Sequence, residues 1–361
     1  MRKHLKVILD YDDVMNYCNK WAVEKLNHEK GTNLSYHDIN GWGILNSPLD
    51  ERLKYFSDPT FIRDIPIRPD ARMMVDELIA RGCDVYIATS VEHQCVGARV
   101  DNILSNFPNI KAENIIICSC KDRLNGDVIL DDGTHNLIGS NVTYPVLFRQ
   151  PWNVSLSGIP AVSTEVEFLT LIDVLMHGTS EFLDAGPKVV SIIGPSGSGK
   201  TTLVNELLKD SNYERVISHT TRKRRTPDET GYHFVEKEQF LKMKESGEFM
   251  ETSSYMGEYY GTRIEDIEEI LARGHNALVT VDINGALAMK SRFKDRSCAF
   301  FLNRKKEECV KSILERGLSI EETTKRICTI DAEFGNYRYC DYVLENINIA
   351  DCVDAMKGVL L

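Results

Sequence analysis

The segment Gly194-Pro195-Ser196-Gly197-Ser198-Gly199-Lys200-Thr201 constrains the fold of this chain more than any other stretch. It stands between an apolar run, Val189-Val190-Ser191-Ile192-Ile193, and a helical pattern through Leu203, Leu207 and Leu208. In a strand–loop–helix unit of this kind, glycines let successive backbone N–H groups converge on one point, and the helix N-terminus adds positive potential. Lys200 then reaches the β- and γ-phosphates of a nucleotide, and Thr201 can ligate Mg²⁺. Gly194, Ser196, Gly197, Ser198, Gly199, Lys200, Thr201 and Thr202 are the residues expected to hold ATP. A buried strand feeding such a helix also requires a parallel α/β sheet around it.

At 361 residues the chain is too long for one ordinary core, which points to two domains. No apolar run approaches the roughly 20 residues needed to span a bilayer. The basic N-terminus meets Asp10, Asp12 and Asp13 too soon for a signal peptide, so the expected location is the cytoplasm and no membrane partner is expected. A net charge of −11 argues against a general nucleic-acid surface, so any phosphate must be held by local basic groups or a metal. The ten cysteines lack metal-type spacing. Cys118 and Cys120 are too close for a zinc knuckle and are read as sitting in the strand-like apolar run with Ile115, Ile116 and Ile117, so reduced, mostly buried thiols are expected.

In the first half, Val7-Ile8-Leu9 and Val128-Ile129-Leu130 read as buried parallel strands that run directly into aspartates. Val85-Tyr86-Ile87-Ala88 ends at Thr89-Ser90, after a helix through Met74, Leu78 and Ile79 that stops at Gly82. Ligands of parallel sheets sit at the carboxyl ends of strands, where all three polar endings fall. The aromatic stretch from about 15 to 70 is expected to be a small helical cap. A boundary is placed between Thr164 and Pro187, giving domains over 1–180 and 187–361.

Asp10-Tyr11-Asp12-Asp13 has the spacing of an aspartyl-phosphate enzyme. The first carboxylate can attack phosphorus, and the second can protonate the leaving oxygen and later deprotonate water. Carboxylates beside a phosphate need a cation between them, and Mg²⁺ held by Asp10, the Asp12 carbonyl and Asp132 would supply it. Lys121 could neutralise further charge, and Thr89 could hydrogen-bond a phosphoryl oxygen. His93 and His135 have no partner at ligand spacing and are read as loop histidines.

This arrangement resembles the haloacid dehalogenase superfamily, and more closely its 5′(3′)-deoxyribonucleotidase branch, over about 1 to 155. Tyr36-His37-Asp38-Ile39-Asn40-Gly41-Trp42, Phe61-Ile62-Arg63 and Gln150-Pro151-Trp152-Asn153 look like that branch. The resemblance implies a Rossmannoid parallel sheet, Asp10 as nucleophile, Asp12 as acid/base, Thr89 and Lys121 on the phosphate, and Asp10, Asp12 and Asp132 on Mg²⁺ with Asp131 supporting. Gly133-Thr134-His135 departs from the usual tail of the last motif.

Beyond the phosphate loop come Ser218-His219-Thr220-Thr221-Arg222-Lys223-Arg224-Arg225, Glu251 and Gly257-Glu258-Tyr259-Tyr260-Gly261-Thr262. Here the chain resembles guanylate kinase over about 187 to 361, which implies a P-loop nucleoside monophosphate kinase fold. The resemblance assigns Arg222, Arg225, Tyr232 and Tyr260 to the GMP phosphate, and Ser218, Glu251 and Thr262 to guanine, with Asp282 in the same acceptor site. A carboxylate such as Glu251 accepts from guanine N1–H and the 2-amino group, whereas adenine presents an acceptor at N1 and would be rejected. Lys200, Arg316 and Arg326 match groups that clamp the transferring phosphoryl, and Asn346 matches a nucleoside-side asparagine. Thr280 stands where the family has a carboxylate, leaving more to Asp282. Ser312 stands at a usual lid arginine, with Lys311 as its substitute, and either Asp228 or Glu229 holds an acidic position.

Together these features lead to the expectation of a bifunctional α/β enzyme of two domains. One would use Mg²⁺ and ATP to phosphorylate GMP or dGMP, and the other would dephosphorylate (deoxy)nucleoside monophosphates. The alternative is one active domain, with the other sensing nucleotides or docking a protein.

Overall fold

The computed structural model describes residues 4–177, 186–224, 231–255 and 257–360. The chain divides into two compact units, Met1–His177 and Gly178–Leu361.

The first unit is built on a six-stranded sheet of β1 (Lys6–Asp10), β2 (Asp84–Thr89), β3 (Ile115–Ile117), β4 (Val128–Asp131), β5 (Tyr144–Phe148) and β6 (Ala161–Val162), in the order β3-β2-β1-β4-β5-β6. Every pairing is parallel. Val7, Ile8 and Leu9 are buried completely, as a central strand covered on both faces requires. The helices are α1 (Cys18–Lys30), α2 (Pro59–Asp64), α3 (Ala71–Ala80), α4 (Val96–Asn106), α5 (Thr134–Leu137) and α6 (Glu165–His177). Gly82, at φ +84°, takes the left-handed turn after α3 that other residues adopt poorly. Between β1 and β2, α1, α2 and the 3₁₀ segments Tyr36–Asp38 and Pro48–Ser57 form a cap over Cys18, Ala22, Leu26, Phe61 and Ile62. The strand β3 ends at Ile117, so Cys118 and Cys120 lie beyond it and not within the strand as expected.

The second unit has a five-stranded parallel sheet and a separate four-stranded sheet. Its strands are β7 (Val189–Ile193), β8 (Tyr213–Arg215), β9 (His219–Thr220), β10 (His233–Phe234), β11 (Phe249–Tyr255), β12 (Glu258–Arg263), β13 (Asn276–Thr280), β14 (Ser297–Asn303) and β15 (Tyr342–Glu345). The orders are β15-β14-β7-β13-β8 and β10-β9-β12-β11. Its helices are α7 (Lys200–Leu207), α8 (Lys237–Glu245), α9 (Ile264–Ala272), α10 (Ile283–Phe293), α11 (Lys306–Leu314), α12 (Ile320–Gly335) and α13 (Ile349–Leu360). The fully buried β7 occupies the middle of its sheet and delivers the chain into the glycine-rich loop before α7. No helix among the described residues is long and apolar enough to cross a membrane. All ten cysteines are free thiols.

Candidate active sites

Parallel register brings the charged ends of the first sheet together. Asp10 pairs in register with Ala88, one residue before Thr89, while β4 ends beside it at Asp131. Lys121 lies between the carboxylates, 2.5 Å from Asp10 Oδ1 and 3.3 Å from Asp131 Oδ2. Oxygens of Asp10, Asp131 and Asp132 lie within 4.8 Å of one another. Burial and the Asp131 charge push Asp10 above the usual carboxylate range, and burial with the charges of Asp10 and Asp131 does the same for Asp132. Burial alone would lower Lys121, but the two aspartates hold it above its ordinary value. Three buried carboxylates against one ammonium form an oxygen-donor set that fits Mg²⁺.

Trp152 Nε1 donates to Asp132 Oδ2 at 2.9 Å, and Asn153 Nδ2 donates to the Asp132 carbonyl at 3.0 Å. The Gln150-Pro151-Trp152-Asn153 segment therefore orients this carboxylate. Asn136 and the Gly133 N–H donate to Asp131. Thr89 Oγ1 is buried with no hydrogen-bond partner among the described residues. A cavity of about 640 Å³ is lined by Asp10, Asp12, Lys121, Asp132, Trp42 and His135. His135 packs edge-on against Trp42, with ring centroids 4.8 Å apart.

Asp12 lines that cavity too, with its carboxylate paired to Arg99, which lines the same cavity. Arg99 Nη1 and Nη2 donate to Asp12 Oδ1 and Oδ2 at 2.6 and 2.8 Å, and Asn16 Nδ2 adds a third bond at 3.0 Å. Burial would raise Asp12, but the Arg99 charge and its hydrogen bonds win and hold the carboxyl below its usual range. The sequence reading missed Arg99. Its signal was its place, with Asn102, on the face of α4 that buries Ala98 and Ile103.

In the second unit, Lys200 Nζ donates to the carbonyls of Gly194 and Pro195 at 2.6 and 3.0 Å, which holds the ammonium over the loop. Burial, opposed by Glu333 and aided by Arg316 and Arg326, brings Lys200 down to about 8. Arg326 Nη1 donates to Ser196 Oγ at 3.1 Å, and the Ser196 N–H donates to Glu333 at 2.8 Å. Ser198 Oγ is buried without a protein partner, the counterpart of Thr89 in the first unit. Thr201 and Thr202 are exposed in the first turn of α7.

Lys311 is 76% exposed and lies 3.9 Å from Glu315. Arg304, unforeseen, touches the loop, and Ser312 accepts from it at 3.1 Å. Asn346, expected on the nucleoside side, donates to the Ser198 carbonyl at 2.6 Å and so supports the loop backbone.

The four-stranded sheet gathers the acceptor-site residues. Thr262 Oγ1 donates to Glu251 Oε1 at 2.9 Å and lies 3.3 Å from Ser218 Oγ. Glu251 packs against Gly285 in the first turn of α10, where an added Cβ would lie 3.3 Å from Glu251 Cγ. Asp282 caps that helix by accepting from the Gly285 N–H at 2.9 Å. Burial and the Asp282 charge push Glu251 up to about 7. Tyr232 and Tyr260 have ring centroids 5.8 Å apart, and the Arg222 guanidinium lies 5.5 Å from the Tyr232 ring. Thr280 is exposed at the end of β13. Arg225, Asp228 and Glu229 lie outside the described residues, as does the boundary stretch 178–185.

Comparison with known proteins matches each half to a family. Residues 186–361 match the family described as guanylate kinase, and residues 3–176 match 5′ nucleotidase, deoxy (Pyrimidine), cytosolic type C protein. A guanylate kinase of Prochlorococcus marinus subsp. pastoris is 34% identical over 177 residues, covering 48% of this chain and 96% of its own length. One from Clostridium tetani is 31% identical over 175 residues, covering 48% of this chain and 84% of the relative. The solved guanylate kinase of Anaplasma phagocytophilum is 24% identical with a TM-score of 0.40, covering 49% of this chain and 86% of that one. Through its C-terminal half the chain belongs to the guanylate kinase family, and its N-terminal half is similar to the cytosolic type C 5′ nucleotidase family over residues 3–176.

Proposed function

We propose that the C-terminal half transfers the γ-phosphoryl group of ATP to GMP or dGMP, and that the N-terminal half hydrolyses (deoxy)nucleoside monophosphates through an aspartyl-phosphate. The observation carrying this reading is that each half keeps a charged phosphate cradle, Lys200 over its loop in one and Lys121 among Asp10, Asp131 and Asp132 in the other.

In the kinase half, Arg222, Tyr232 and Tyr260 would seat the acceptor phosphate, with Arg225 joining from the sequence assignment. Glu251, Ser218 and Thr262 would read guanine, because the carboxylate accepts from both donors on that edge. Lys200, Arg316 and Arg326 would carry the charge that spreads over the transferring group, which is most of what this reaction asks of a protein.

In the nucleotidase half, an Asp10 oxygen attacks phosphorus and the bond to the nucleoside oxygen breaks. Asp12, which the negative charge of the bound phosphate would raise into its protonated form, gives that oxygen a proton. Asp12 then takes a proton from the water that cleaves the aspartyl-phosphate and frees Asp10. Arg99 favours the charged form of Asp12, which suits the second step. Thr89 and Lys121 would hold the phosphoryl oxygens. Asp10, the Asp12 carbonyl and Asp132 would hold Mg²⁺ here, and Thr201 would ligate it beside ATP; the metal neutralises phosphate charge when bound. The ten free thiols fit a reducing cytoplasmic setting.

A panel of ribo- and deoxynucleoside monophosphates, incubated with and without ATP, tests both assignments. GMP and dGMP should become diphosphates only with ATP, and monophosphates should release phosphate without it. A panel that yields neither product would sink the proposal.

A further inference from the structure

Arg304 follows the last residue of β14, the strand that pairs with β7 and ends beside the phosphate loop. The loop is wedged between this strand end and α11. A Cβ on Gly194 would lie 2.6 Å from the Leu302 carbonyl oxygen, and one on Gly197 would lie 2.4 Å from that of Cys309. Arg304 reaches across the seam. Its Nη1 donates to the Gly197 carbonyl at 3.2 Å and to Ser312 Oγ at 3.1 Å, and its Nε donates to Glu308 at 2.9 Å. The side chain is 30% exposed, so the guanidinium also keeps an open edge.

Two successive peptide units of the loop are thereby held from outside. Arg304 holds the Gly197–Ser198 unit by its carbonyl, and Asn346 holds the Ser198–Gly199 unit by the Ser198 carbonyl at 2.6 Å. A peptide is planar, so fixing its carbonyl fixes the N–H on the opposite edge. Those N–H groups are what a triphosphate meets. The short side chain of Ser312 leaves room for the guanidinium and accepts from it. An arginine at 312 would begin where Ser312 Oγ already meets Arg304, within reach of the same carbonyl.

We propose that Arg304 is a positioning residue for the donor nucleotide, setting the phosphate loop through Gly197 from a place that an arginine at 312 could equally fill. This rests on the nucleoside triphosphate reading of the loop.

The test is titration of the full chain with Mg-ATP, and separately with GMP, for wild type, R304M, R304K and R304M/S312R. R304M should weaken Mg-ATP binding about tenfold, the loss expected for a charge-assisted hydrogen bond, with GMP binding unchanged. R304K, which keeps a donor and the charge, should fall between R304M and wild type. R304M/S312R should recover most of the lost affinity. Wild-type affinity in R304M overturns the inference, and so does an equal loss for GMP, which would mark general unfolding. If neither S312R nor R304K improves on R304M, the positional role also fails. A wild-type chain that binds no Mg-ATP removes the donor reading itself and this inference with it; wild-type binding with an unaffected R304M removes the inference alone.

Discussion

The carboxylate of Asp12 and the guanidinium of Arg99 meet edge to edge, at 2.6 and 2.8 Å, with Arg99 only 1% exposed. Geometry of this kind fixes both position and charge. A group proposed to donate and accept a proton thus has its charged form favoured by a neighbour 87 residues away.

Replacing Arg99 with methionine leaves Asp12 in a protein environment without its counter-charge. Breaking such a pair from one side costs about 3–5 kcal/mol. R99M should lose about that much in urea denaturation, and its release of phosphate from monophosphates should slow about a hundredfold, the usual contribution of a positioned acid/base. Unchanged stability would mean that the pair does not form in solution.

Glu251 gives the kinase half a pH dependence of known sign. Its carboxyl titrates at about 7 in the folded chain, raised by burial and by Asp282. Guanine recognition needs the ionised form, so KM for GMP should rise as pH falls through 7, about tenfold per unit below it. The stability contribution runs the other way: protonated Glu251 favours the fold at low pH, and that share is lost as pH rises through 7. In E251Q the pH dependence of KM for GMP should vanish. A flat profile in the wild type would remove Glu251 from the guanine site.

Gly197 has φ +85° and no space for a side chain, since its Cβ would meet Cys309 backbone at 2.4 Å. Gly274 has φ +87° and nothing within 4 Å. G197A should therefore displace the phosphate loop and slow phosphoryl transfer about a hundredfold. G274A should cost about 1 kcal/mol of stability with turnover intact. Equal kinetics for the two variants would show that the wedge beside α11 is not needed.

The cluster of Asp10, Asp131 and Asp132 carries more negative charge than Lys121 offsets. Mg²⁺ should raise the thermal midpoint of the nucleotidase half, with stabilisation of about 2.7 kcal/mol at a hundredfold excess over Kd. Chelation should reverse the shift, and D132N should abolish it. A midpoint indifferent to Mg²⁺ in the wild type would argue that the cluster holds no cation.

Much of this architecture was legible because it is local. Val7-Ile8-Leu9, Val128-Ile129-Leu130 and Val189–Ile193 are short, fully buried and followed by the residues that chemistry needs, so strand ends and site residues were read together. The ends of β1 and β4 then fell side by side through parallel register, which brought Asp10 to Asp131 and Lys121. What the sequence hid was contact between distant segments. Arg99 reaches Asp12 from a helix that reads as amphipathic, and Trp152 reaches Asp132 from a 3₁₀ turn. At the kinase loop, attention to position 312 suggested its neighbour Lys311, but Lys311 points to Glu315 while Arg304 arrives from the end of β14. Helix phase decides such cases, and one residue of phase separates Lys311 in solvent from Ser312 against Arg304.

Two separable phosphate sites are the core of the account, and one experiment addresses them together. The full chain, K200A and D10N are incubated with GMP, ATP and Mg²⁺ and, separately, with the monophosphate hydrolysed fastest and Mg²⁺ alone, following GDP formation and phosphate release. K200A should lose GDP formation and keep phosphate release, and D10N should do the reverse. Loss of both activities in either variant, or of neither, would contradict two independent sites.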